Sequence, residues 1–289
     1  GLLAQSIGGG GGLSGSIDGA VSMGYKENIA DYQAQGGSIT LTTSGDISTE
    51  GNHSPALVAQ SIGGGGGWVA QADGQVDLGS YSITKNSDVS AGDISITTSS
   101  DLLTQGDNST GLLAQSIGGG GGVAYTNDAS VSMGGDVVGI TRADAVSLIS
   151  KFNSRIQTTG SSSPAVIAQS IGGGGGYVGG DGSGRAPVVD LGGGGTQLGG
   201  SGSVELTISR GTQLITAGTE SQGILAQSIG GGGGYTSQNG LVMRLGMTGG
   251  RGNAGDVTVD NQGSITTLGS SSEGILAQSI SAGGGSAGN

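Results

Sequence analysis

The sequence predicts an all-β chain wound as a parallel β-helix with glycine-rich seams. Three observations predict it. An apolar word that runs into glycines, "GLLAQSIGGGGG", recurs with small changes along the 289 residues. The copies keep a beat near 55 residues: Ala4, Ala59, Ala114, Ala168, Ala226 and Ala277 follow one another at steps of 55, 55, 54, 58 and 51. Between the copies, apolar residues alternate with polar ones in short pieces broken by Gly, Asn and Ser, which is strand patterning.

Five imperfect repeats of about 55 residues therefore start near 1, 56, 111, 165 and 223, with a partial sixth near 274. Residues 1–289 read as one β-solenoid. The chain opens and closes inside a repeat word without atypical capping repeats, so a piece of a longer array is expected.

Within a repeat, the first element is the "AQS" strand. Gln5, Gln60, Gln115, Gln169, Gln227 and Gln278 share one position in it. Stacked copies would form an amide ladder; separated copies would form a row of solvated side chains. The next element is the glycine run, five residues long in all five intact copies and followed in register by Leu13, Trp68, Val123, Tyr177 and Tyr235. A linker tolerates changes of length, so this constancy points to an ordered, extended seam. Its backbones approach closely for want of Cβ atoms and pair through their N–H and C=O groups. Then comes a "V-x-[ML]-G" word at Val21, Val76, Val131 and Val189, with "MRLG" at Met243. A last landmark, Ile47, Leu102, Ile156, Leu214 and Ile265, precedes the next Ala by 12 residues every time.

Strand pieces lie about 8 to 10 residues apart, and three fill a turn of roughly 25. Each repeat is thus expected to make roughly two coils, the second less regular. A local hairpin at "DG" or "NG" is the alternative for that second coil. Two coils per repeat would hold the glutamines apart, so solvated glutamines are the expectation. One segment, 142–155, is a candidate helix with mixed apolar spacing.

Composition excludes several classes. Glycine, at 69 residues, does not fall at every third position and Pro numbers 3, so collagen is out. Net charge is −12 and the nine basic residues form no run, which argues against nucleic acid. No apolar stretch nears the roughly 18 residues of a membrane span, so no membrane contact by this segment is expected. There is no Cys for thiol chemistry or thiolate metal sites. Poly-Gly satisfies G-x-G-x-x-G trivially, and no G-K-[ST] follows any run. The single His, His53, sits in a corner that lacks His in the other copies and reads as a turn residue. "GGDGSG" at 179–184 occurs once, unlike tandem calcium repeats. Asp46, Asp93 and Asp256 follow Gly at strand starts and read as turn residues rather than acid/base pairs. No catalytic residue, metal site or cofactor is therefore expected.

Recognition is expected where repeats differ. The stretches 25–46, 80–101, 135–155, 193–213 and 247–264 vary most and hold Lys26, Lys85, Arg142, Lys151, Arg155, Arg210 and Arg251. Aromatic and basic groups on an acidic, Gly-rich chain are candidate contact residues: Tyr25, Tyr32, Tyr81, Arg142, Phe152 and Arg155.

The words "GILAQSIGGGGG", "VTVDNQGSITTLGSSSEGILAQSI" and "V-x-[ML]-G" resemble the Gly-rich passenger repeats of large bacterial autotransporters (type V secretion). The resemblance covers essentially the whole chain. It implies a right-handed β-helical passenger, a Gram-negative source and a place on the bacterial cell surface, with an outer-membrane barrel elsewhere in the full protein. It also implies a stalk or adhesion surface rather than an enzyme, its partner a host-cell or matrix receptor, a glycan, or another copy of itself. Two alternatives are a polysaccharide-processing β-helix and an ice- or surface-binding solenoid using Thr rows such as "SITLTT".

Overall fold

The computed structural model describes residues 1–25, 31–80, 82–126, 128–180, 186–193, 197–238, 240–246 and 251–288. Among them every regular element is a strand, and every strand pairing is parallel. The second repeat shows the pattern. Its strands are Leu57–Ile62, Gly66–Ala72, Val76–Leu78, Ser82–Ser90, Ile94–Thr98 and Leu102–Thr104. Each pairs with its counterpart one repeat away, and the six rows form six sheets, A to F in that order. The predicted β-helix is therefore present.

The number of coils differs from the prediction. Ala4 pairs with Ala59, Ala59 with Ala114, and so on to Ala277. One repeat is one coil of six strands, not two coils of three. The hairpin alternative falls with it, because successive strands within a repeat do not pair with each other. The candidate helix also falls. Residues 142–155 hold the end of strand Val137–Arg142, strand Val146–Ser150, a turn, and the start of strand Arg155–Thr158. Val146, Leu148 and Ser150 point inward at period two, and that alternation decides for strand.

Sheet A explains the large coil. Leu57–Ile62 is buried along its whole length, as are its three successors. One face, with Leu57 and Ala59, packs on Ile94 and Ile96 of sheet E and Leu102 of sheet F. The other face, with Val58, packs on Trp68 of sheet B. The far face of sheet B, with Val69 and Ala72, then packs on Val76 and Leu78 of sheet C. The cross-section is layered C, B, A and then E with F, and sheet A is the wall between two cores.

A strand buried on both faces must satisfy its polar side chains internally. It does so through the A-Q-S word. Each Gln Nε2 donates to the Gln Oε1 of the next coil, from Gln5 through Gln60, Gln115, Gln169 and Gln227 to Gln278, at 2.6–2.7 Å. The expectation of solvated glutamines is overturned, and the coil count is the reason: with one coil per repeat the copies touch. Each Ser hydroxyl ties the D–E corner. Ser61 Oγ accepts from Gly92 N–H at 2.8 Å and donates to Gly37 O of the preceding coil at 3.0 Å. Ser116, Ser170 and Ser228 repeat both bonds.

The glycine runs form an ordered seam, as predicted. Gly63 and Gly64 donate forward to Ile117 O and Gly118 O, while Gly66 donates backward to Gly10 O, all at 2.9–3.0 Å. The third to fifth positions have positive φ in the second run, with 89°, 125° and 138° at Gly65, Gly66 and Gly67. A Cβ on Gly66 would lie 2.0 Å from Gly121 O, and one on Gly65 would lie 2.8 Å from Gly24 Cα. The "V-x-[ML]-G" word ends in Gly because these glycines stack on one another: a Cβ on Gly24, at a φ of 127°, would lie 2.2 Å from Gly79 O. Ordering five glycines costs on the order of 2.5–5 kcal/mol relative to Ala, and the ladder bonds offset it.

Spine intervals are constant. From sheet F to the next sheet A, Ile47 to Leu57 through Ile265 to Ile275, is always 10 residues. From sheet D to sheet E, Gln35 to Ile39 through Gly200 to Val204, is always 4. Length changes fall elsewhere. The path from sheet C to the end of sheet D takes 14 residues from Val21 to Gln35 but 11 from Val131 to Arg142. The E–F turn varies between 8 and 10, and the B–C connection is longer once, at 179–186.

Two outcomes are expected. In chemical denaturation, Gly121→Val should lose more than ~3 kcal/mol, because its Cβ would fall 1.9 Å from Gly175 O at a φ of 131°. Gly15→Val, with nothing within 4 Å of its Cβ, should unfold as the parent does within about 0.5 kcal/mol. Separately, Gln115→Leu leaves Gln60 Nε2 and Gln169 Oε1 buried without partners and should cost about 2–4 kcal/mol. The same change at the partly exposed Gln5 strands only one buried group, Gln60 Oε1, and should cost about 1–2 kcal/mol.

Candidate interaction surface

Four of the eight Phe, Trp and Tyr rings belong to the spine. Trp68, Tyr125, Tyr177 and Tyr235 form a buried stack between sheets A and B, with centroids 5.4, 6.0 and 5.6 Å apart. Tyr177 OH donates to Ser162 O at 3.0 Å, and Tyr235 OH accepts from Gln222 Nε2 at 2.7 Å. Burial raises the phenol pKa of all three tyrosines. His53 has φ 55° and sits at the turn position held elsewhere by Asn108, Ser162, Glu220 and Ser271, each also left-handed. It is a turn residue, as read from the sequence. Asp46 and Asp101 likewise serve turns: each carboxylate accepts a backbone N–H of the next coil, from Asp101 and Arg155.

The predicted contact residues fall into two groups. Tyr25 and Tyr32 stack face to face, 5.3 Å apart at 12°, where the first coil passes from sheet C to sheet D. Tyr32 packs on Ala34 and Val89, the inward residues of sheet D. Arg142 lies on the same side, at the outer end of sheet D, and its guanidinium pairs with Asp88 at 2.7 Å. Phe152, 70% exposed, and Arg155 occupy the E–F corner of the third coil instead. Tyr81 lies outside the described residues. The six candidates therefore do not form one site.

Sheet D brings together residues that the sequence reading did not join. Its strands alternate: Ala34, Val89 and Thr141 point inward, and their neighbours point out. In register, Gln35, Ser90, Arg142, Gly200 and Asn253 form one outward column. Gln33, Asp88, Ile140 and Arg251 belong to the other. At Gly200 the first column loses its side chain. A groove of about 560 Å³ opens there, lined by Arg142, Asp144, Gly200, Arg251 and Asn253. In sequence Arg251 is one basic residue among seven, because its place across Gly200 from Arg142 depends on stacking whole repeats in register.

The Asp144 carboxyl sits above the usual carboxylate range, raised first by partial burial and then by Asp93, with Arg142 opposing. Among the described residues no group of three or more His, Cys, Asp or Glu could hold a metal, and no helix is long and apolar enough to cross a membrane. No family model, curated protein or solved structure matches the chain.

A carboxyl whose folded pKa is raised contributes stability at low pH, and that contribution is lost as pH rises through the folded value. Asp144→Asn should therefore stabilise the protein at pH 7 by no more than about 0.5 kcal/mol, as for a surface change, and the gain should vanish below the ordinary aspartate range. Paired urea melts at pH 7 and pH 3 measure the difference.

Proposed function

We propose that this chain is a structural and adhesive segment of an extracellular β-helical rod on a Gram-negative surface, of the autotransporter-passenger kind. One observation supports the reading above others. The intervals that build the spine are constant, whereas length, charge and exposed aromatic groups change on sheet D, its approach from sheet C, and the E–F turn. Support and recognition are thus carried by different residues. A spine of near-identical words cannot discriminate partners, but a changing face can.

The outward columns of sheet E weigh against the ice-binding alternative. They read Thr40, Ser95, Ser147, Glu205, Thr258 and Thr42, Thr97, Ile149, Thr207, Asp260, so no unbroken Thr row lies on a flat face.

The test grafts one face onto another at matched register. Residues 24–35 of the first coil are replaced by residues 246–253, which join the same two sheets by a shorter path without tyrosine. In a parallel variant Phe152 becomes Ser. Adhesion of the purified segment to epithelial cells, extracellular matrix and bacteria displaying it should fall severalfold in at least one variant, while circular dichroism and melting stay those of the parent. Undiminished adhesion in both, or no adhesion by the parent, overturns the adhesive reading. Release of reducing ends from polysaccharide would favour the processing enzyme instead.

A further inference from the structure

The groove over Gly200 is a gap in a column, and its borders are specific. Arg142 stands one coil to one side of Gly200, and Asn253 one coil to the other. Two strand spacings, about 9.6 Å, separate these borders, which leaves room for one sugar ring between them. Arg251 projects from the adjoining column on the Asn253 side and has no ion-pair partner among the described residues. The floor is the backbone of Gly199–Gly202. Asp144 closes the groove where sheet D turns toward sheet E, and Ile140, 37% exposed, lies beside Arg142 on the same face.

We propose that this groove binds a carboxylated saccharide, with its carboxylate held by the Arg251 guanidinium and its ring hydroxyls on Asp144 and Asn253, while Arg142, ion-paired with Asp88, borders the far side. Guanidinium donors match a carboxylate in a planar, bidentate way. A carboxylate acceptor beside an amide, which both donates and accepts, suits neighbouring hydroxyls. Ile140 offers an apolar ledge for the C–H face of a ring. A purely anionic ligand such as phosphate would leave Asp144 facing like charge. An acidic peptide would seek strand pairing, and the sheet D strands flanking the groove are already bonded to each other across it. The inference deepens the adhesive reading and rests on it for the encounter with a surface glycan.

Gly200 supplies a clean block. A Cβ built there meets nothing closer than Asn253 O at 3.8 Å, so a larger side chain fits the fold while it fills the groove. Calorimetric titration with trigalacturonate, its carboxyl-reduced counterpart and a triglutamate peptide tests the proposal on the whole chain. The parent should bind trigalacturonate and should bind the other two at least tenfold more weakly. Arg251→Ala should weaken trigalacturonate binding at least tenfold, and Gly200→Leu should abolish it, both with unchanged melting temperature. Should Gly200→Leu prove unstable, Arg251→Ala together with Asn253→Ala carries the test. Equal binding of the reduced sugar, tighter binding of triglutamate, no binding by the parent, or indifference to Arg251→Ala overturns the proposal. The grafts at 24–35 and Phe152 leave the groove untouched, so undiminished adhesion in both of those variants, or no adhesion by the parent, while trigalacturonate binding persists counts against the adhesive reading and not against the groove.

Discussion

A strand buried on both faces can bond its polar side chains only to one another and to neighbouring backbone. Sheet A imposes that condition on the whole molecule. Its alternate residues serve two cores, so Leu57 and Ala59 meet sheets E and F while Val58 meets sheet B. Gln60 and Ser61 then have no water to turn to: Gln60 bonds to the glutamines of the coils on either side, and Ser61 to the backbone of its own coil and the preceding one. Such bonds form only if every coil presents the same group at the same height. Like must stack on like, and the near-identity of the A-Q-S words is the chemical form of that requirement. The same demand fixes the intervals into and out of sheet A, and with them the glycine run that turns the chain toward sheet B.

The strand content, the ordered glycine seam and the turn role of His53 were legible in the sequence, because each depends on local pattern. The size of the coil was not. Strand spacing of 8 to 10 residues is the same whether three strands or six close a turn, so periodicity measures the sides of the polygon and not their number. Residues that could decide it were present. "ALVAQSI" places apolar side chains at consecutive positions, Leu57 and Val58, where a strand lining one core alternates with polar residues. Read as a strand facing two cores, it requires a second wall on each side and a coil long enough to supply both. The solvated reading of the glutamines followed from the same miscount. The groove was illegible for a related reason: Arg142 and Arg251 become neighbours only when columns are read across coils, past Gly200.

The division between spine and face also explains where this acidic chain keeps its few cations. Arg142 and Arg251 stand on sheet D, and Arg155 at the E–F turn, where no side chain must repeat in the next coil. A charged residue at the Gln or Ser position of sheet A would meet its own kind across a strand spacing inside a dry core, with no partner of opposite sign. The buried tyrosines obey the rule in milder form. Their rings tolerate replacement by Trp68, Val123 or Leu13 in other coils, because apolar stacking asks for volume rather than for a matched donor and acceptor.

One coil per repeat has a mechanical corollary in the economy of reach. A parallel stack rises about 4.8 Å per coil, so the six rows of sheet A, from Leu2–Ile7 to Ile275–Ile280, extend only about 24 Å along the axis. Roughly 55 residues are thus laid down for each 4.8 Å of height, about twice what a three-sided coil of roughly 25 residues would use. Chain is being invested in girth. The return is two dry compartments braced by a common partition, a cross-section that resists flexing and shear, and a wide flank on which successive coils can display different chemistry.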